Sequence, residues 1–511
     1  MLVSVTAAKC VGVEAVKVIV EADIASGIGV HIVGLPDIAV KESLLRTFTA
    51  LEALGFRIPG KKIVINLAPA DLRKNGSGYD LPIAVAIIAA SAQRNLVRAG
   101  DFVIMGELGL DGELRAIPGG LPFAQMAGEE GFAGVILPMD CAREAAEFDV
   151  TEVYGARTLM DVVRILEGEE PCEDLRVKKR DCRLERDCSA VGCDFADIIG
   201  QEAAKRGAEI AAAGGHNLLL IGAPGSGKTS LSKAMAGILP PMTREEALMT
   251  SKIHSIYGKS TSAGTLTRPF RSPHYSASLA AIIGGGGGDA ILPGEVSLAH
   301  NGILFLDEFG QMPRSVIEAL RGPLEDRCVT ISRLRAKVEY PASFMMVAAS
   351  NPCPCGYWGE GDRCRCTPSQ RINYLSKLSG PILDRIDLHV RVRTVNPSLT
   401  MSGEKAESSA RVRERVCRAR DIQQYRFRGT GIYTNAQMDN RFIEKFCPLD
   451  DECKNVMLRL MQSSGLSMRS YFRIIKVART IADIEGAQRI CAGHLLEAAA
   501  YRFMDKTEAG L

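Results

Sequence analysis

Three patterns of apolar and polar positions succeed one another along the chain. Over residues 1–166, short apolar runs mix with stretches of helical period, which predicts an α/β domain. Within it, "KKIVINLAP" (61–69) reads as a strand, and "KESLLRTFTALEALGF" sets Leu44, Leu45, Phe48, Leu51 and Leu54 on one helical face. "GELGLDGELRAIPGG" carries an Asp111-Gly112 turn between apolar flanks, the signal of a hairpin. Residues 167–196 carry mixed charge with little period and read as a linker, with Cys172, Cys182, Cys188 and Cys193 irregularly spaced. From 197 to 395, the apolar runs "NLLLIGAP", "GILFLDE" and "SFMMVAAS" alternate with helices, as in a parallel sheet built from βα units. From 396 to 511 only helical period survives. Ile474, Ala478, Ile481 and Ile484 share a face there, which predicts an all-helical domain.

Size and composition narrow the class. At 511 residues, 46% hydrophobic and 24% charged, the chain is globular and long enough for roughly three domains. A net charge of +2 gives no global basic field, so any nucleic-acid surface must be local. No apolar run approaches the ~20 residues that span a bilayer, and the start lacks a signal-peptide pattern. The expectation is a cytoplasmic protein without membrane association. Its 15 cysteines then read as thiols or metal ligands rather than disulfides.

The strongest chemistry lies at 218–230. "LLLIGAPGSGKTS" fits G-x-x-x-x-G-K-[ST] between an apolar strand and a helix, the context a phosphate loop requires. Gly222, Pro224, Gly225, Ser226, Gly227, Lys228, Thr229 and Ser230 form the candidate ATP-binding loop. Glycines let backbone N–H groups wrap the phosphates, Lys228 reaches the β- and γ-phosphates, and Thr229 holds Mg²⁺. A second apolar strand ends in Asp307 and Glu308, at the sheet edge where ligands sit. Asp307 is expected on the magnesium and Glu308 on the attacking water. Asn351 follows the third strand and is placed to orient water beside the γ-phosphate, unless it only makes an Asn-Pro turn. Arg385 in "GPILDRIDLHV" is a candidate finger into a neighbour's ATP site, the alternative being an ion cluster with Asp384 and Asp387. Arg469 and Arg473 lie four apart near a helix start, and Arg469 is the candidate for the γ-phosphate.

In this order the motifs resemble AAA+ ATPases. "FRSPHYSAS", "PGEVSLAHNGILFLDE", "ALRGPLEDRCVTISR", "YPASFMMVAASNPCPCG" and "SGPILDRIDLHV" resemble the magnesium-chelatase-like branch, and within it the YifB/ComM proteins of bacteria. The resemblance covers essentially the whole chain. It implies a ring-forming, hexameric ATPase with a helical lid domain over 396–511. Its ComM members are helicases that promote branch migration as transforming DNA integrates. The N-terminal segment resembles the proteolytic domain of Lon, which uses a Ser–Lys dyad. Ala124 stands where the lysine is expected, and Ser77 lies only near the nucleophile position, so a non-proteolytic platform is implied. Chelatase-type and MoxR-like ATPases that remodel protein partners are the rival readings.

"NPCPCGYWGEGDRCRC" places Cys353, Cys355, Cys364 and Cys366 as C-x-C-x₈-C-x-C. The pairs are tighter than the usual C-x₂₋₄-C knuckle, yet a Gly-rich loop between them lets four sulfurs converge, and four thiolates favour a structural Zn²⁺. Reduced thiols and iron–sulfur or redox use are the alternatives. Such a clip is expected to stiffen the chain between Asn351 and Arg385.

DNA contacts are expected in two places. Residues 251–296 resemble the family's helix insertion and hold a glycine run, Gly284–Gly288. There Arg268 and Arg271, with His274 and Tyr275, combine charge with a ring able to stack on a base. In "VTISRLRAKVEYP", Arg333, Arg335 and Lys337 alternate as along one side of an extended strand, where the related ATPases carry a pore hairpin. The arginine-rich 411–429 reads equally as a DNA surface or a charged helix face. Single-stranded, double-stranded or branched DNA is the expected partner, bound with salt-dependent affinity.

Overall fold

The computed structural model describes residues 2–168, 172–178, 193–258, 267–286, 291–333, 336–378, 380–394, 406–464 and 466–506. Alternating apolar residues give two long strands, β1 (Leu2–Val11) and β2 (Glu14–Ala25), paired antiparallel through a turn at Gly12. With β3 (Gly29–Val33), β4 (Lys62–Ala68), β5 (Phe102–Ile104), β6 (Gly134–Pro138) and β7 (Glu152–Ala156) they form a seven-stranded sheet in the order β3-β4-β2-β1-β5-β6-β7. Helices α1 (Ile38–Ala53), α2 (Asp80–Ala90) and α3 (Gly120–Glu129) complete this layer. The Asp111-Gly112 turn joins a short antiparallel pair, Glu107–Leu108 with Leu114–Arg115.

Two expectations shift here. Of the expected face of α1, Leu51 is buried and Leu44, Phe48 and Leu54 pack against the core, while Leu45 is 74% exposed and the fully buried positions add Val40, Ser43, Thr47 and Ala50. Ser43 and Thr47 carry the face inward despite being polar, and the Thr47 hydroxyl donates to the Asp80 carbonyl at 3.4 Å. Residues 172–178 of the expected linker instead lie along β7: Gly155 N–H donates to Leu175 and Val177 N–H to Val153, at 2.8 and 2.9 Å.

The second sheet is wholly parallel. Its strands are β8 (Leu218–Gly222), β9 (Phe270–Arg271), β10 (Ile303–Leu306), β11 (Met345–Ser350) and β12 (Leu388–Val392), ordered β9-β10-β11-β8-β12. Strand β9 lies inside the stretch 251–296, so that stretch supplies an edge of the sheet as well as a connection. Period two divides each strand between two cores. Leu218, Leu220, Phe305 and Val347 face α4 (Glu202–Gly214), α5 (Lys228–Ile238) and the C-terminal helices, whose Val416, Ile474 and Ile481 join the same core. Leu219, Leu304, Leu306 and Met346 face Ile282, Val316 and Ile382 on the other side. The described residues beyond 406 form helices and no strand, chiefly α6 (Ser409–Arg426), α7 (Met468–Ile484) and α8 (Ala492–Ala500).

The two sheets meet through a helix of the second, Arg244–Tyr257. Its Met242–Ala247 end packs on Leu121 and Phe148, and the buried Lys252 pairs with Glu14 at 2.8 Å. No helix among the described residues is long and apolar enough to cross a membrane.

Candidate functional site

The phosphate loop follows β8 and opens α5. Gly225 and Gly227 adopt φ of +75° and +89°, which L side chains rarely take, and a Cβ on either would meet nothing within 4 Å. A Cβ on Gly222 would instead lie 2.2 Å from the Val392 carbonyl, so only glycine fits between β8 and β12. Lys228 Nζ donates to the carbonyls of Gly222 and Ala223 at 2.7 and 2.8 Å and to Asn351 Oδ1 at 3.4 Å. Burial pushes its ammonium below the usual lysine range, with Asp307 acting against the shift. The Ser226 hydroxyl is buried with no hydrogen-bond partner among the described residues. An open glycine cradle, a buried orphan hydroxyl and a desolvated cation together fit a triphosphate.

Asp307 and Glu308 follow β10. Asp307 Oδ2 accepts from Thr229 Oγ1 at 3.0 Å, and Oδ1 from the Glu308 N–H at 2.8 Å. Thr229 and Asp307 therefore converge as a magnesium site requires. Glu308 sits in the left-handed region, φ +49°, which turns the chain sharply after the strand. Asn351 ends β11 beside Lys228. Tyr374, which sequence reasoning passed over, lies under this edge: a Cβ on Gly310 would stand 2.9 Å from its hydroxyl. Gln201, also missed, takes φ +62° and donates to the Ser226 carbonyl at 3.3 Å and to the Arg393 carbonyl. It thereby ties the loop to a cavity of about 730 Å³ lined by Gly200, His389, Arg391 and Tyr501. Nothing local marks either residue, since tertiary packing alone brings them there.

The arginines are placed differently from expectation. Arg385 is buried and pairs with Glu325 at 2.6 Å, so its partner is neither Asp384 nor Asp387. Asp387 is held by Arg473, by the Asn217 N–H at 3.1 Å and by His216 Nδ1 at 3.4 Å. Burial alone would raise its pKa, but Arg473 and His216 outweigh it and hold the carboxyl well below the usual range. Arg469 is 67% exposed, with Asp384 3.7 Å away.

The four cysteines of 353–366 converge, with all four sulfurs within 4.8 Å of one another. Cys353 Sγ lies 3.3 Å from Cys355 and 3.8 Å from Cys364, and the Cys355–Cys364 separation is 3.7 Å. Tetrahedral zinc–thiolate bonds place sulfurs about 3.8 Å apart, so the set fits Zn²⁺. Backbone N–H groups of Tyr357 and Arg365 draw the Cys355 thiol down to about 6, while the neighbouring sulfurs of Cys355 and Cys353 push Cys364 and Cys366 up, as in a set whose thiolates repel one another until a cation joins them. The loop packs on the phosphate loop: a Cβ on Gly356 would lie 2.6 Å from Pro224 Cδ.

The DNA candidates are less available than expected. Arg268 is bonded to both Glu246 oxygens, at 3.1 and 2.8 Å, and Arg271 to both Glu295 oxygens, each at 2.7 Å. Either would have to abandon a carboxylate to reach a phosphate, which removes them from the exposed set. His274 and Tyr275 stack at 4.3 Å between ring centroids on the surface. The strands Cys328–Arg333 and Ala336–Pro341 pair antiparallel, with Arg333 opposite Ala336 and Lys337 opposite Ser332. Arg333 and Lys337 thus lie on two paired strands instead of along one. Lys337 is exposed, and Arg335 lies outside the described residues. Of the glycine run, Gly284 and Gly285 pair with Leu292 and Pro293, while Gly287 and Gly288 lie outside the described residues. In the N-terminal layer, Ala124 is buried and the Ser77 hydroxyl is engaged by Glu107.

Comparison with known proteins places this geometry. Family models described as "Magnesium chelatase, subunit ChlI", "Subunit ChlI of Mg-chelatase" and "Magnesium chelatase, subunit ChlI C-terminal" match residues 194–399, 20–141 and 406–502. The chain is 44% identical over 498 residues to the uncharacterized protein YifB of Salmonella typhimurium, covering 97% of this chain and 96% of that protein. It is 43% identical over 498 residues to competence protein ComM of Haemophilus influenzae, covering 96% of each. Over 339 residues it is 24% identical to the DNA replication licensing factor mcm6 of Dictyostelium discoideum, 61% of this chain and 34% of that one.

Proposed function

The chain belongs to the YifB/ComM family of magnesium-chelatase-like proteins, and on that premise we propose that it is an AAA+ ATPase that drives DNA translocation and branch migration in the cytoplasm. The observation that carries the reading is the convergence of Lys228, Thr229, Asp307 and Asn351 at one end of the parallel sheet. Thr229 and Asp307 would hold magnesium, which supplies charge neutralisation at the phosphates. Glu308, on its sharp turn, orients and deprotonates water; Asn351 and Lys228 fix the γ-phosphate.

Hydrolysis is shared between subunits of a hexameric ring in this reading. Arg385 is the finger, which requires it to exchange Glu325 for a neighbour's phosphate, and Arg469 is exposed for the same charge. Zn²⁺ on the four cysteines props the phosphate loop through Gly356 and Pro224. DNA meets Lys337 and its hairpin, while residues 1–166 form a Lon-like platform without a dyad. Support for DNA as the substrate comes from the printed names of the relatives, a competence protein and a replication licensing factor. The chelatase subunit models favour a second reading, remodelling of a protein partner. A three-stranded branched-DNA assay separates them. Wild type should resolve the branch with ATP, while Lys228→Ala and Glu308→Gln should not. Absence of branch movement by wild type, with ATP turnover stimulated by protein alone, selects the second reading.

A further inference from the structure

The phosphate loop, Asp307 and Asn351 stand at the carboxyl ends of the parallel strands. At the amino ends of the same strands lies another cavity, of about 400 Å³. Gly302 and Met345, at the starts of β10 and β11, form one wall, and Arg420 and Tyr433 from the C-terminal helical part form another. A five-residue strand spans about 16 Å, so the depth of the sheet separates this cavity from the ATP site.

Three arginines line it, and their hydrogen bonding is unequal. Arg268 is saturated by Glu246 and by the carbonyls of Pro240 and Asn301, each at 2.7 Å. Among the described residues, Arg327 donates to Ser343 Oγ at 3.2 Å and Arg420 to the Ala212 carbonyl at 3.1 Å, and neither has a carboxylate partner. The Arg420 Nε is closed off from solvent and has no partner among the described residues. Burial first, and then the charges of Arg268 and Arg327, push this guanidinium down to about 9. His300 adds no charge, because its Nδ1 accepts from the Ser343 N–H at 3.0 Å. Glu245 stands at the exposed rim, and Glu246 is engaged by Arg268. Arg268 is thus paired with a carboxylate, while Arg327 and Arg420 are answered only at a distance, by Asp387 and Glu246, a costly arrangement for a protein to keep.

We propose that this cavity binds a small phosphorylated ligand of about mononucleotide size, its phosphate taken by Arg327 and Arg420 and its ring by Tyr433 and Met249. Guanidinium groups match phosphate oxygens in charge and geometry. The volume falls at the small end of ligand cavities, about 300–1,000 Å³, and a recess of that size admits a mononucleotide and excludes a duplex. Tyr433 is 51% exposed at the mouth, where its ring is available for stacking. The site is independent of the function proposed above and shares no residue with the phosphate loop.

Full-length Lys228→Ala protein, whose phosphate loop no longer competes, is titrated calorimetrically with AMP, with inorganic phosphate and with a single-stranded oligonucleotide. One AMP should bind per chain, and phosphate should displace it. Arg420→Met and Arg327→Met, each in that background, should weaken AMP by about tenfold or more, whereas Arg420→Lys should keep part of the affinity. Arg420→Met should also leave the melting temperature unchanged or raise it, because a buried cation without a carboxylate partner is removed. The proposal is overturned if AMP and phosphate fail to bind or if only the oligonucleotide binds. AMP affinity that survives both methionine substitutions, or a lowered melting temperature in Arg420→Met with no change in AMP binding, equally overturns it.

Discussion

Lys228 folds back onto the carbonyls of Gly222 and Ala223, so its charge is held inside the loop until phosphates replace them. Lys228→Ala should abolish nucleotide binding, whereas Glu308→Gln should keep binding and lower kcat by about 10²-fold or more; phosphate release and nucleotide titration read the two effects separately. Asp387 makes a different kind of prediction. Its pKa is depressed in the fold, so its stabilisation is present above the unfolded carboxylate value near ~4 and is lost as pH falls below it. Asp387→Asn leaves the half-buried Arg473 without its carboxylate and should cost about 3 kcal/mol at neutral pH in denaturant unfolding. The variant should also lose less stability than wild type on acidification.

At the scale of elements, the cysteine loop meets the phosphate loop where Gly356 faces Pro224. Gly356 also has φ +86°, so Gly356→Ala meets both strain and a clash and should cost more than about 1 kcal/mol and weaken ATP binding. Removal of zinc by a strong chelator, or Cys364→Ser, should release one zinc per chain by metal analysis and weaken ATP in the same direction. Zinc loss with unchanged ATP affinity would show that the clip does not support the loop. The phosphate loop was legible in the sequence because its glycines, lysine and threonine act through local backbone geometry at fixed spacing. The Asp307–Thr229 contact was legible because Asp307 follows a recognisable strand and Thr229 closes the phosphate-loop motif. Pairs set by distant packing were not: nothing near Arg385 names Glu325, and nothing near Arg268 names Glu246. On α1, Leu44, Phe48, Leu51 and Leu54 were legible from their helical period, while buried Ser43 and Thr47 were not because they look polar; the basic hairpin was legible, but Arg333 and Lys337 fall on its two strands and not along one.

For the whole molecule, the parallel sheet shares one core with the C-terminal helices, so movement at the ATP edge and movement of those helices cannot be independent. The N-terminal layer is fastened to the same body by Lys252 and Glu14 and by Gly12, whose added Cβ would lie 3.1 Å from the Glu339 carbonyl in the basic hairpin. This arrangement can pass strain from the nucleotide site to the surface assigned to DNA. The most direct test is steady-state ATP turnover by the purified chain with and without single-stranded DNA. The account predicts turnover that DNA stimulates, that Glu308→Gln lowers by about 10²-fold or more, and whose stimulation falls as salt rises. Turnover indifferent to DNA at low salt, or undiminished in Glu308→Gln, would contradict it.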